Sequence, residues 1–309
     1  MGTVRLGVDI GGTFTDLILL DEDTGHYLVV KVPSRPTDPA GALVEATTRS
    51  ISEAAVEPKS VAMLNHGTTI VTNAVLEGNL APTALIVTKG FRDVLEIGRH
   101  LRPDMYDLNQ DKPKPIVPRD LRFEVEERMA PDGTVVTPLN AETVTAAIAA
   151  LKATDVSAVA VSFLHAYANP EHEAMVKEAL SKALPDIDIT VSTDICREIR
   201  EFERTSTVVL NAAATPVVSR YLEVLKERTS TVVPEAQVLF MQSNGGSMTV
   251  NAARRSPAQL IYSGPAAGVL ACQFVGRLTN QPNVLGFDMG GTSTDISLVY
   301  RGEPLMTTE

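Results

Sequence analysis

The chain has 309 residues, 44% of them hydrophobic and 21% charged, which is enough for one large domain or two smaller ones around a real core. Its 27 Lys and Arg against 38 Asp and Glu give a net charge of −11, and the basic residues are scattered, which excludes a nucleic-acid or anionic-membrane surface and leaves small molecules or proteins as partners. Cys196 and Cys272 form no CxxC pair, no signal peptide opens the chain and no apolar run approaches membrane-spanning length, so neither a zinc module nor a disulfide framework is expected, and a reducing, cytoplasmic location is.

In chain order, "VRLGVDIGG" and "TFTDLILLDEDTGHYLVVKV" read as strand, tight turn, strand, turn, strand. "DPAGALVEATTRSISEAAV" opens a helix with Asp38 as N-cap and Pro39 at the first helical position. "VAML" is a short strand, and "NHGTT" behind it reads as a loop leading into a helix. Residues 101–118 are crowded with proline and lack periodicity, so they form an excursion, followed by a hairpin "LRFEVEERMAPDGTVVTPL" turning at Asp132 and Gly133. "NAETVTAAIAALK" places Val144, Ile148 and Leu151 on one helical face. "VSAVAVSFL" is a buried strand, and Asn169-Pro170-Glu171 starts the next helix. His165 and His172 straddle that helix start and read as a satisfied structural histidine and a solvated one rather than as metal ligands. Glu201, Glu203 and Arg204 in "EFERTS" read as salt-bridged residues opening an apolar helix. The strand "AQVLF" runs into the turn "MQSNGG", where Ser243 and Asn244 are candidates for substrate contact because the glycines permit close backbone approach. Alternating strands and helices make the chain α/β, with a first domain over residues 1–190 and a second over 191–309.

The strongest signal is a repeat. "DIGGTFTD", from Asp9 to Asp16, returns as "DMGGTSTD", from Asp288 to Asp295. No helix starts behind either glycine pair, which excludes the dinucleotide fingerprint and the Walker loop. Each copy is a β-hairpin whose turn can hold phosphate: Gly11 and Gly12, or Gly290 and Gly291, let the backbone approach, while Thr13, Thr15, Thr292 and Thr294 add hydroxyls. Asp9 and Asp288, at the ends of the incoming strands, would repel phosphate unless Mg²⁺ lay between, so they are the expected metal-organising and catalytic residues. Asp16 and Asp295, at the far ends of the turns, are expected to fix the hairpins.

These twin hairpins resemble the phosphate loops of the actin, hexokinase and heat-shock-chaperone ATPase fold, built from two ribonuclease-H-like domains. With "HGTTIVTNAVLEG" (66–78), "TALIVTKGFRDVLEIGR" (83–99), "FLHAYANPEHE" (163–173), "EFERTSTVVLNAAATP" (201–216), "MQSNGG" (241–246) and "SGPAAGV" (263–269), the chain is identified as a member of the hydantoinase/oxoprolinase family, in its ATP-binding A-type subunit. The resemblance implies mixed sheets and ATP with Mg²⁺. It also implies ring opening of a cyclic amide, such as a hydantoin or 5-oxoproline, through phosphorylation of the carbonyl oxygen. The hydrolytic half would belong to a B-type partner subunit. It draws Ser263 and Gly264 toward the nucleotide, and His66 and Thr68 toward the substrate. Related ATP-dependent acetone and acetophenone carboxylases supply a second reading, and a non-catalytic piece that binds partner or nucleotide a third. Family members run to roughly twice this length, and the adenosine motif that the fold places later is missing, so an incomplete second domain and weak, base-indifferent MgATP binding are expected.

Overall fold

The computed structural model describes residues 3–35, 37–100, 104, 106–107, 109–289 and 294–305. In chain order the elements are β1 (Val4–Ile10), β2 (Phe14–Asp21), β3 (Tyr27–Pro33), α1 (Pro39–Ala54), β4 (Val61–Thr68), α2 (Ile70–Leu76), β5 (Thr83–Thr88), α3 (Val94–Ile97), β6 (Arg122–Val125), β7 (Arg128–Met129), β8 (Val135–Thr137), α4 (Ala141–Leu151), β9 (Ala158–Ser162), α5 (Glu171–Ala183), β10 (Asp188–Val191), α6 (Ser192–Ile195), α7 (Glu201–Val232), β11 (Gln237–Met241), β12 (Ser247–Thr249), α8 (Val250–Arg255), α9 (Ser263–Leu278), β13 (Val284–Met289), β14 (Thr294–Tyr300) and β15 (Glu303–Pro304). By contact they gather into two compact units, Met1–Gly78 with Val218–Glu309, and Asn79–Val217, a partition that cuts the chain differently from a linear division at residue 190.

The first unit holds a mixed six-stranded sheet in the order β12-β11-β4-β1-β2-β3. β1, β2 and β3 form an antiparallel meander, whereas β1, β4 and β11 run parallel. Period-two alternation decides the faces: Leu17 and Leu19 are buried while Ile18 and Leu20 between them are exposed. α1 packs on the meander, and its start was legible: the Asp38 carboxylate accepts the Gly41 N–H at 3.1 Å, with Pro39 in the first turn. Arg228, near the end of α7, donates to the same carboxylate at 2.6 Å. A second sheet, β13-β14-β15, is antiparallel and packs against α9.

The second unit holds a parallel sheet in the order β10-β9-β5-β6. Both faces are covered, so "TALIVT" and "AVAVS" are buried without a break: Ala84 and Ile86 face the α4 and α5 side, Leu85 and Val87 face Val208 and Ala212 of α7. One expectation is corrected here. The segment read as a single hairpin is divided, because Arg122–Val125 joins β5 as an edge strand and only β7 and β8 pair across the Asp132-Gly133 turn. Gly133 takes φ 85° there and the Asp132 carboxylate accepts the Thr134 N–H. A second correction concerns length: by length and composition α7 could cross a membrane, but Val208, Ala212, Val218 and Leu222 along it are core residues.

Candidate active site

Because β1, β4 and β11 are parallel, their carboxyl ends reach the same edge of the first sheet. That edge carries the 11–13 turn after β1, Thr69 after β4 and the 242–246 turn after β11, and the carboxyl edge is where α/β sheets present their ligand sites. The first turn of α9 is tied to it. Ser263 Oγ donates to the Thr68 carbonyl at 2.8 Å and accepts the Thr68 N–H at 3.2 Å, while the Tyr262 N–H donates to Thr72 Oγ1 at 3.1 Å.

At this edge the 11–13 turn is open. The Gly11 N–H closes the hairpin on the Phe14 carbonyl at 3.0 Å, but Gly12 and Thr13 are exposed and their N–H groups meet no acceptor among the described residues. Below the turn, Thr15 Oγ1 bonds Ser34 Oγ at 3.0 Å, Ser34 Oγ donates to the Gly11 carbonyl at 2.7 Å and the Ser34 N–H donates to the Thr13 carbonyl at 2.9 Å. The turn is therefore braced from beneath while the Gly12 and Thr13 N–H groups stay without a protein acceptor among the described residues, an arrangement suited to anionic oxygens.

Asp9 sits beside it. Its carboxylate occupies space that side chains at two glycines would take: a Cβ on Gly67, opposite Asp9 in the parallel register, would come within 3.1 Å of Oδ1, and one on Gly264 within 3.6 Å. Asp9 is open to solvent, yet the surrounding protein displaces enough water to raise its pKa, and the charges of Asp16 and Asp288 push the same way. Both copies of the repeat place two aspartates directly across an antiparallel pair, Asp9 opposite Asp16 and Asp288 opposite Asp295. Like charges so placed destabilise a sheet, so their presence twice points to a use other than stability. Asp16 is neutralised by Lys31 at 2.8 and 3.0 Å, as expected of a hairpin-fixing residue; Asp9 has no such cation among the described residues. No cluster of three or more His, Cys, Asp or Glu forms among the described residues, so a metal here would take the Asp9 and Asp288 carboxylates and complete its shell from ligand and water.

The other expected site residues divide clearly. Gly11, Gly12 and Thr13 form the open turn, and Thr294 begins β14 beside the second turn, whose Gly290, Gly291 and Thr292 lie outside the described residues. Thr15 and Ser263 are fully buried with their hydroxyls engaged, so they brace the turn and the helix rather than meet a ligand; Gly264 keeps its place against Asp9. Thr68 is also buried, its Oγ1 accepting the Ile70 N–H at 3.2 Å at the start of α2. His66 corrects the substrate expectation: it lies inside β4, paired between β1 and β11, fully buried. Its Nε2 meets Tyr221 Oη at 2.6 Å against the Phe240 ring, and burial lowers its pKa to about 4, opposed by the Val8 carbonyl. Ser243 and Asn244 are exposed at the site edge; Ser243 Oγ donates to the Gln259 carbonyl at 3.0 Å and Asn244 Oδ1 accepts the Gly246 N–H at 2.8 Å.

Sequence reasoning missed a buried polar network in the second unit, at the carboxyl ends of its strands. Glu173 accepts from the Phe163 N–H, Ser192 Oγ and the Thr193 N–H at 2.7 to 2.9 Å, and burial raises its pKa although these bonds oppose it. Glu127 accepts from Thr88 and bonds His172 Nδ1 at 2.8 Å, and His165 Nδ1 faces the Met129 carbonyl at 2.8 Å, so each histidine has a protein partner and neither is simply solvated. Glu203 pairs with Arg99, but Arg204 is fully buried and does not open the helix as a surface ion pair. The signal was the density of charge in "PEHE" and "FERTS" beside apolar strands.

Fold and site together define an α/β chain with mixed sheets that gathers a glycine turn, a helix start and paired aspartates at one sheet edge. The chain belongs to the hydantoinase/oxoprolinase family: residues 5–184 match the hydantoinase/oxoprolinase N-terminal region and residues 204–309 match hydantoinase/oxoprolinase. An uncharacterized protein of Methanocaldococcus jannaschii is 42% identical over 308 residues, covering 99% of this chain and 45% of that protein. Caprolactamase subunit alpha of Pseudomonas jessenii is 34% identical over 304 residues, covering 96% and 44%; the crystal structure of ATP-dependent caprolactamase from that organism aligns with a TM-score of 0.85 at 35% identity, over 95% of this chain and 43% of that one. The nucleotide-free structure of acetone carboxylase aligns with a TM-score of 0.87 at 29% identity, over 99% and 46%. The chain thus spans less than half the length of these relatives.

Proposed function

We propose that this chain is the phosphate-binding part of an ATP-dependent enzyme that opens cyclic amides of the hydantoin or 5-oxoproline type, with an actin-like ATPase fold whose two Gly-Gly-Thr hairpins clamp the nucleotide. The observation that carries the reading is the open turn at Gly12 and Thr13 beside an exposed Asp9 carboxylate whose pKa is raised by partial desolvation and by the charges of Asp16 and Asp288. In it the backbone donors of the turn hold β- and γ-phosphate oxygens, with the α9 start nearby favouring negative charge. Asp9 and Asp288 would share a Mg²⁺ ion that neutralises the transferring phosphoryl group. The residues position the γ-phosphoryl for the amide carbonyl oxygen, and a B-type partner subunit completes hydrolysis. The family membership and the ATP-dependent caprolactamase support this; the acetone carboxylase alignment keeps a carboxylase subunit as the second reading. The two free cysteines support a cytoplasmic setting.

Asp9→Asn is the test. Because the folded pKa of Asp9 lies above its unfolded value, its charge opposes folding at neutral pH, and the contribution to stability grows only as pH falls through the folded value. Asp9→Asn should therefore raise the thermal midpoint slightly while lowering substrate-driven ATP turnover of the assembled enzyme on the order of 100-fold. The isolated chain should bind MgATP weakly, with little preference over MgGTP by calorimetry. Turnover near wild type in Asp9→Asn would sink the reading, and ring opening that requires bicarbonate would transfer it to the carboxylase.

A further inference from the structure

A row of three charges crosses the meander beside the open turn. Asp9 of β1 is paired with Asp16 of β2, and Asp16 with Lys31 of β3. Residues directly opposite in an antiparallel pair share a face, so the three side chains stand in line, about 5 Å apart from strand to strand. The same end of β3 holds the turn itself. Ser34, three residues beyond Lys31, donates its N–H to the Thr13 carbonyl at 2.9 Å and its Oγ to the Gly11 carbonyl at 2.7 Å.

Lys31 does more than face its partner across the strands. Its Nζ lies 2.8 and 3.0 Å from the Asp16 oxygens and also 4.9 Å from the centre of the Phe14 ring. Phe14 is two residues nearer the turn than Asp16, directly behind Thr13, so the ammonium is drawn along the sheet face toward the free Gly12 and Thr13 N–H groups. An ammonium carries three N–H donors, and among the described residues it meets no oxygens but those of Asp16. A purely structural role explains little of this, because both side chains are about half exposed and exposed ion pairs add little to stability. Arg5 and Glu22 form the ordinary version on the same meander: the pair is 3.0 Å apart and equally exposed, at the far end of β1 from the turn.

The charges say what the lysine is for. Asp9 already feels the repulsion of Asp16 and Asp288, and anionic oxygens seated on the turn add to it, so the site needs a cation besides any metal. A lysine suits an exchange of partners, since its charge is compact and its four-carbon stem is flexible. We propose that Lys31 is a phosphate-binding residue of the first hairpin, moving its ammonium from Asp16 to an oxygen of a polyphosphate held on the Gly12 and Thr13 N–H groups. Asp16 is then the resting partner that keeps the ammonium beside an empty turn and takes it back when the polyphosphate leaves. The proposal rests on the phosphate-binding reading of the turn and adds to it a side-chain cation.

Magnesium tripolyphosphate is the probe, because it presents the phosphates without a nucleoside, and its binding to the chain is followed by phosphorus NMR titration with calorimetry. Wild type should bind it saturably with a Kd on the order of millimolar. Lys31→Gln should weaken binding about tenfold or more, the loss of one charge-assisted hydrogen bond, and Lys31→Arg should stay within about threefold of wild type. Arg5→Gln removes the same charge and breaks an equally exposed pair, but Arg5 lies four residues from Asp9 along β1, roughly 13 Å, beyond the screening length of about 8 Å at 0.15 M salt, so binding should change by less than about twofold. Asp16→Asn decides between the two roles of the lysine. Releasing the ammonium should tighten binding, whereas loss of a hairpin clamp would weaken it as Lys31→Gln does. All four variants should keep the far-ultraviolet circular dichroism of wild type, because each change is made in an exposed pair. Undiminished binding in Lys31→Gln, an equal loss in Arg5→Gln, or weaker binding in Asp16→Asn overturns the proposal while leaving the phosphate-binding turn in place. Absence of saturable binding by wild type overturns both.

Discussion

At pH 7 the imidazole of His66 is uncharged, because a fully buried site against Tyr221 and Phe240 holds its pKa at about 4. The unfolded chain protonates this histidine near the ordinary value of 6.5, so between pH 6.5 and 4 the unfolded state binds more protons. The neutral imidazole's contribution is therefore complete above about pH 6.5 and is lost as pH falls toward 4, a change of roughly 3 kcal/mol. His66→Phe removes that titration and leaves the buried Tyr221 hydroxyl without its partner, at a cost of about 1–3 kcal/mol at pH 7. In urea unfolding, the gap between wild type and His66→Phe should narrow steadily from pH 7 to pH 4. A gap that stays constant would mean His66 titrates normally in the fold.

At the scale of elements, the readable parts were those dictated by local physics. The apolar, β-branched run in "FTDLILLD" marked a strand, Asp38-Pro39 a helix start, and the unbroken apolar run "AVAVS" a buried strand. What could not be read was set by distant partners. "NHGTT" has a loop's composition, yet pairing with β1 and β11 draws His66 into the sheet, and β11 arrives from far along the chain. Thr15 and Ser263 have the chemistry of phosphate ligands, but only the fold shows that Ser34 and Thr68 use their hydroxyls. Packing of α9 on the second sheet is likewise tertiary: a Cβ on Gly276 would lie 2.8 Å from the Gln281 carbonyl oxygen and 2.9 Å from Val284 Cγ2. The backbone oxygen cannot rotate aside as a side chain would. Gly276→Ala should therefore loosen α9 from β13 and destabilise by about 1–3 kcal/mol, with faster modification of Cys272, which packs on β13 at Gly286, by a thiol reagent. Unchanged stability and thiol reactivity would show that the helix end yields without cost.

At the scale of the whole molecule, one surface conflicts with a charge of −11 as a device for solubility. Leu285 pairs with Leu298 and Phe287 with Ile296 across β13 and β14, and with Met289 and Tyr300 they make one exposed sheet face almost wholly apolar. The exposed side of α9 repeats the pattern, with Leu270, Phe274 and Leu278 spaced one turn apart. Contiguous apolar surface of this kind drives association, while the net negative charge opposes it over a range that salt shortens. The isolated chain should therefore self-associate reversibly, and more strongly as ionic strength rises from about 0.02 to 0.5 M. Phe287→Thr with Ile296→Thr removes the centre of the sheet patch while keeping residues that suit a strand. In sedimentation velocity this double variant should stay monomeric at concentrations where wild type associates, bind less of an apolar-surface dye, and retain the far-ultraviolet circular dichroism of the wild type. Association that persists unchanged in the variant, or that weakens as salt is added, would place the driving force in charge pairing elsewhere on the surface instead of this face.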